Sequence, residues 1–243
     1  MLIDYLSLWE SAAAYKDTYA AAKPFPHCVI DNFLPEHALQ ILLDGFPEPE
    51  SIFWKHNSNE NTEAKADLRY GFANTKDMLF GRARPVFLEF TSGSFVGFLD
   101  TLTGIKFLVP DPYYVEGGFH MVGNGGRLAP HADFSHHPMG LERRVNLLLY
   151  LNADWKPEYG GNLSLYDEGM RPVRTIEPII NRCVIFSTSQ TSYHGHPEPM
   201  TLPDGVLRRS VALYYYAKPR RERTEHKAIF PGQPKVDTKA EIA

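Results

Sequence analysis

The stretch RVNLLLYLNADWKPEYGGNLSLYDEGMRPVRTIEPIINRCVIFS, residues 144–187, decides the fold. It holds four short runs, 144–151, 162–166, 172–178 and 181–187, separated by clusters of Gly, Pro, Asn and Asp. Apolar and aromatic runs of that length between turn formers predict strands joined by tight turns. Working outward, 118–122 and 127–133 lie upstream and 207–217 downstream with the same character. Regular spacing of this kind argues for a sandwich or barrel rather than a parallel α/β sheet. Val145–Leu151 and Cys183–Phe186 are apolar on both faces, so another layer must cover their outer side.

The N-terminal part supplies that layer. Residues 2–22 read as a helix, with Leu2, Tyr5, Leu6 and Trp9 at helical spacing, ended by Pro24 and Pro26. A short strand, His27 to Ile30, and a turn from Asp31 to Pro35 precede a second helix marked by Ala38, Leu39, Ile41 and Leu42. Residues 47–75 are polar around Phe53 and Trp54 and predict a short strand plus a mobile loop. Residues 84–103 are again helical, interrupted near Ser92-Gly93. The expected organisation is one domain: 1–104 helical support and lid, 105–217 the β core, 218–243 an extended or disordered tail with no assigned chemistry.

Composition narrows the function. The 43% hydrophobic and 22% charged content is that of a chain that buries a core, and a net charge of −4 gives no footprint for nucleic acid. Two cysteines, Cys28 and Cys183, each inside an apolar run, predict buried free thiols in a reducing compartment. Neither the first residues nor any later window has the pattern of a signal peptide or a membrane span, so a cytoplasmic protein without a membrane partner is expected. Nothing in the sequence fixes an oligomeric state.

The chemistry starts at Pro130-His131-Ala132-Asp133-Phe134. Residues two apart on a strand project to one face, so His131 and Asp133 can converge on a point. H-x-D alone is a weak signal. After the strand ending at Phe186-Ser187, however, the chain reads Thr188 to His194-Gly195-His196-Pro197, which places a histidine just beyond a strand end. Two imidazoles and one carboxylate fill one face of a metal, leave the opposite positions open, and suit Fe(II). His196, two residues on, competes for the third place, and spacing from Phe186 favours His194. His136 and His137 read as a polar rim. In Leu207-Arg208-Arg209-Ser210-Val211-Ala212-Leu213, an arginine opens an apolar strand and is costly to bury without an anion. Alternation groups Arg208 with Ser210, and a guanidinium presents paired donors that match a carboxylate.

Over residues 117–217 the sequence resembles the 2-oxoglutarate- and Fe(II)-dependent oxygenases, in their prolyl-hydroxylase-like branch. The resemblance is carried by Gly123 to Phe134, Arg144 to Trp155, Tyr159 to Tyr166, Phe186 to His194 and Arg208-Arg209-Ser210. It implies a double-stranded β-helix, or jelly roll, mainly β with flanking helices. It further implies His131, Asp133 and His194 as iron ligands, and Arg208 on the distal carboxylate of 2-oxoglutarate with help from Tyr150. Asn146 and Leu148, on the face of Tyr150, would line the same pocket, with Ser210 beside it. Implied cofactors are Fe(II), the cosubstrate 2-oxoglutarate, O2 and, as a reductant, ascorbate. The reaction implied is hydroxylation of a C–H bond with release of succinate and CO2. Related halogenases replace the ligating carboxylate by a small residue, so Asp133 argues for hydroxylation. The sequence departs from the family at Met121, where relatives often place a second cosubstrate tyrosine, and in a longer segment between His194 and Arg208.

The substrate expected is a prolyl residue of a peptide or protein, or a small molecule. Selectivity is expected in residues 51–80, with Trp54, Arg69 and Tyr70, and in the loop 134–143. Two other readings compete: a non-catalytic jelly-roll binding module of cupin or lectin type, and a zinc hydrolase using the same ligands. The first leaves the order His-Asp-His-Arg as coincidence. The second gives Arg208 no task.

Overall fold

The computed structural model describes residues 2–49, 54–56, 63–66, 78–111, 114, 117–133, 135, 140–220 and 227–231. Helices form the outer layer. α1 (Tyr5–Ala21) is capped by Asp4, whose side chain accepts the Ser7 N–H at 3.2 Å. α2 (Glu36–Asp44) follows, then α3 (Met78–Phe90) and α4 (Gly93–Thr103). The break expected near Ser92 is a cap: its hydroxyl accepts the Phe95 N–H at 3.1 Å and starts α4. α1 lies directly on α4, because a Cβ on Gly97 would stand 2.6 Å from the Trp9 ring.

Two antiparallel sheets follow. The larger has eight strands among the described residues: β1 (His27–Ile30), β2 (Trp54–His56), β3 (Glu63–Ala66), β4 (Val109–Pro110), β5 (Gly118–Val122), β7 (Glu142–Tyr150), β10 (Cys183–Ser187) and β12 (Arg208–Ala217). Their order is β1-β10-β7-β12-β5-β3-β2, with β4 on β12. The smaller sheet runs β6-β11-β8-β9, from β6 (Leu128–His131), β8 (Leu163–Tyr166), β9 (Pro172–Ile176) and β11 (His194–His196). This is a jelly-roll core.

Alternation explains the two-sided apolar runs. Val145, Leu147 and Leu149 of β7, with Val211, Leu213 and Tyr215 of β12, bury against Phe87, Phe90, Phe95 and Phe98 of the helices. From the opposite face, Tyr150, Val184 and Phe186 meet Leu163, Leu165 and Ile176 of the smaller sheet. The space between the sheets is therefore lined by the even-numbered residues of β7, β10 and β12 over most of their length.

One expectation is corrected. His194 does not lie just beyond a strand end but in β11, a strand of its own, paired with β6 on one side and β8 on the other. Three residues, His-Gly-His, carry no strand periodicity, and the pairing comes from neighbours distant in sequence. Of the segment 47–75, β2 and β3 form a hairpin that joins the edge of β5. Arg69, Tyr70, His136 and His137 lie outside the described residues.

The helical layer is latched to the sheet by Asn181, which sits at φ 58° before β10. Its amide donates to the Leu34 carbonyl at 2.8 Å and its side-chain oxygen accepts the Leu34 N–H at 2.9 Å. Its backbone accepts from Phe33 and donates to the Tyr150 carbonyl. Replacing Asn181 by Ala strands two buried backbone groups and should lower unfolding stability by about 3 kcal/mol. Urea unfolding measures this, and a loss under about 1 kcal/mol would contradict the latch.

Candidate metal centre

β6 and β11 run antiparallel with His131 directly opposite His194, so the two rings stand side by side with centroids 4.6 Å apart. Gly195 lets the strands approach this closely: a Cβ there would lie 2.7 Å from the Leu128 carbonyl oxygen and 2.9 Å from that of Ala129. Asp133 follows β6 and turns its carboxylate between the rings, Oδ1 3.6 Å from His131 Nε2 and Oδ2 3.4 Å from His194 Nε2. One ligand atom from each of the three residues lies within 4.8 Å of the others. His196 is buried on the same short strand but outside this group, past an irregularity in the register.

The imidazoles are set for a metal. His131 Nδ1 lies 2.9 Å from the Ala129 carbonyl and His194 Nδ1 3.0 Å from the Ser192 carbonyl. A carbonyl only accepts, so both Nδ1 atoms carry the proton and both Nε2 lone pairs face Asp133. Burial pushes His194 down to about 4 against the pull of Asp133, which keeps the ring neutral near neutral pH. The edge of Phe186 packs on the His194 ring at 4.8 Å.

The carboxylate is held from behind. Burial alone would raise the Asp133 carboxyl, but the Arg143 guanidinium overrides it and holds the group well below the usual carboxylate range. Arg143 is buried, with Nη1 3.1 Å from Asp133 Oδ1 and the guanidinium 3.7 Å above the Tyr214 ring. Asn146 donates its amide to Asp133 Oδ2 at 2.5 Å. Asn146, expected to line the cosubstrate pocket, thus also reaches the ligand carboxylate.

Arg143 was missed, for a reason in the register. Alternation from Asn146 points to Arg144 as the inward arginine. Pairing with β12, however, passes from Tyr215↔Val145 to Tyr216↔Arg143, so Arg144 is the extra residue of a bulge. The bulge turns Arg143 inward.

Further along the same inter-sheet face, Arg208 is buried at 6% exposure. Its Nε donates to the Gly161 carbonyl at 2.9 Å and its Nη2 to the Tyr150 hydroxyl at 3.4 Å. Among the described residues no carboxylate pairs with it. Gly161, at φ 68°, is required here, since a Cβ would stand 2.4 Å from Met200 Sδ and 3.1 Å from Arg208 Cδ. Ser210 is buried and pairs with Tyr150 on one side and His120 on the other. Leu148 packs half-buried between the Phe186 cluster and that of Tyr214. Met121 pairs with Arg209 and packs with the helix-side core, so the residue β5 turns toward Ser210 is His120, which the sequence reading did not single out.

Residues 117–216 match the sequence profile of the 2OG-Fe(II) oxygenase superfamily. Its members use Fe(II), 2-oxoglutarate and O2, and the donor set described above fits Fe(II): two imidazole Nε2 atoms and one ionised oxygen on one side. The chain is also similar to the Mus musculus prolyl 3-hydroxylase OGFOD1, 28% identical over 199 residues, covering 79% of this chain and 33% of that protein. The Homo sapiens prolyl hydroxylase EGLN3 is 28% identical over 109 residues, covering 44% and 41%. The chain thus spans between a third and two fifths of the length of these curated relatives. Among solved structures, the Trichoplax adhaerens prolyl hydroxylase in complex with a hypoxia inducible factor peptide fragment superposes with TM-score 0.60 at 17% identity, covering 87% and 91%. A Phytophthora capsici prolyl 4-hydroxylase gives 0.55 at 19%, covering 89% and 66%. At these identities the structures speak for the fold.

Arg143→Met leaves the Asp133 carboxylate buried without its cation. Metal-free protein should lose about 3 kcal/mol of stability, and a bound divalent cation should restore most of it by supplying the missing positive charge. Urea unfolding with EDTA and with Mn(II) checks this. An equal loss in both conditions would contradict it.

Proposed function

We propose that the protein is an Fe(II)- and 2-oxoglutarate-dependent hydroxylase acting on a prolyl residue of a peptide or protein. The overall change is R–H + 2-oxoglutarate + O2 → R–OH + succinate + CO2. The observation that carries the reading is the pairing of two features on one inter-sheet face: a His-Asp-His cluster, and a buried guanidinium with no carboxylate partner among the described residues. A buried cation is stable only when an anion reaches it, and a dicarboxylate cosubstrate supplies one. Asn146, which touches Asp133, and Tyr150, which touches Arg208, are four residues apart on β7. Strand rise puts them about 13 Å apart at Cα, a gap that their side chains shorten to the scale of a five-carbon diacid.

In this reading His131, Asp133 and His194 hold the iron, which when bound supplies O2 activation. Arg143 and Asn146 keep Asp133 ionised and aimed, so that the carboxylate does not rotate or take a proton. Arg208 receives the distal carboxylate, with the Tyr150 and Ser210 hydroxyls beside it. Burial raises the Tyr150 hydroxyl above its ordinary value, against Arg208, so it stays a proton donor. The walls of the two sheets keep the reacting region out of bulk water.

The prolyl substrate rests on the relatives, whose names state prolyl hydroxylation. The proposal includes ascorbate as an accessory reductant and a cytoplasmic, reducing setting, supported by the free buried thiols of Cys28 and Cys183.

The test is succinate release from 2-oxoglutarate with Fe(II) and O2, coupled to a panel of prolyl peptides and of small molecules. His131→Ala and Asp133→Ala should abolish turnover, and full turnover in either would refute the ligand assignment. Stimulation by small molecules but by no prolyl peptide would overturn the substrate. Arg208→Ala should raise the 2-oxoglutarate KM at least about thirtyfold, since one partner of a buried charge pair is lost. An unchanged KM would make Arg208 structural.

A further inference from the structure

The tail after β12 was expected to lie apart from the chemistry, yet its described residues return to the metal centre. Ile229 forms an antiparallel bridge with Ala132, the residue between two of the metal-centre side chains. Both hydrogen bonds are made: the Ala132 N–H donates to the Ile229 carbonyl at 2.9 Å, and the Ile229 N–H to the Ala132 carbonyl at 2.8 Å. Phe230 then lays its ring on the His131 imidazole, centroids 5.6 Å apart and planes 27° from parallel. Each candidate ligand histidine thereby has a phenylalanine against it, Phe186 from inside the core for His194 and Phe230 from the tail for His131.

The start of the tail is anchored independently. Arg220 donates from its backbone N–H and its Nε to the two oxygens of Glu142, each at 2.8 Å, and from Nη2 as well. Glu142 is only 2% exposed. A carboxylate so buried needs a cation, and the tail provides it. Glu142 directly precedes Arg143, the residue behind Asp133. The composition agrees, because Ile229-Phe230 is the one pair of adjacent large apolar residues in an otherwise polar, charged stretch from 218 to 243.

We propose that residues 227–231 are a built-in strap of the metal site, in which Phe230 is a positioning residue for His131 and Ile229 fixes Phe230 in place. Among the described residues β6 is an edge strand of the smaller sheet, and the Ile229 bridge lies on its outer side. The strap adds a bridge at that edge and one aromatic face against the ring. Its effect is to hold the imidazole in its ligating orientation and slow loss of the ion. This inference rests on the metal-binding reading above, and the experiment separates the two.

The full chain, Phe230→Ala, Phe230→Tyr and Ile229→Pro are each loaded anaerobically with Co(II), and release into excess EDTA is followed by visible absorption. Phe230→Ala should release Co(II) about tenfold faster, the lower range for loss of a residue that orients a ligand. Phe230→Tyr should stay close to the unmodified rate. Ile229→Pro, which removes one bridge donor, should release faster too, and amide exchange should show Ala132 losing protection while β7 and β12 keep theirs. Unchanged release in both Phe230→Ala and Ile229→Pro overturns the strap. Loss of protection throughout β7 and β12 also overturns it, making the tail a requirement of folding. Failure of the unmodified chain to bind Co(II) would overturn the metal site itself.

Discussion

Two histidines from separate strands share one ion only if their strands are fixed in register, and the centre depends on the pairing of His131 with His194. The rest of the architecture serves that pair. Gly195 removes the side chain that would push β6 and β11 apart, and backbone carbonyls of Ala129 and Ser192 choose the tautomer. Asp133, two residues after His131, sets its carboxylate between the two rings. The larger sheet, backed by an aromatic core under the described helices, is the wall against which this smaller sheet is set.

Charge is managed at both ends of the inter-sheet space. Near the ligands, Arg143 offsets Asp133, with Tyr214 beneath it, so the carboxylate stays ionised where burial favours protonation. At the other end Arg208 is enclosed by neutral groups, the Gly161 carbonyl and the Tyr150 hydroxyl, which orient it without cancelling its charge. A cation paired with a carboxylate at one end, and one with no carboxylate partner among the described residues at the other, give the inter-sheet face a direction. A dianion with one chelating end fits that asymmetry, whereas a neutral ligand leaves Arg208 buried and uncompensated.

The sequence carried most of the fold because strand and helix periodicity are local properties. The runs at 118–122, 162–166 and 207–217 correspond to β5, β8 and β12 within a residue at either end, and the break at Ser92 is a cap written in the side chain itself. His131, Asp133 and His194 were legible from spacing and residue type. What escaped was long-range: β11, whose three residues owe their strand to partners far along the chain; Arg143, turned inward by a bulge that no alternation rule contains; and the tail, whose charged composition hides Ile229 and Phe230. Asn181 was likewise unreadable, since its task is set by Leu34, distant in sequence and adjacent in space.

The most direct test of the account is anomalous diffraction at the iron edge from crystals grown anaerobically with Fe(II) and 2-oxoglutarate. It should give a single iron peak touching His131 Nε2, Asp133 and His194 Nε2, with one end of the diacid at the iron and the other on Arg208. A peak at His196 or elsewhere, or a diacid that leaves Arg208 untouched, would contradict it.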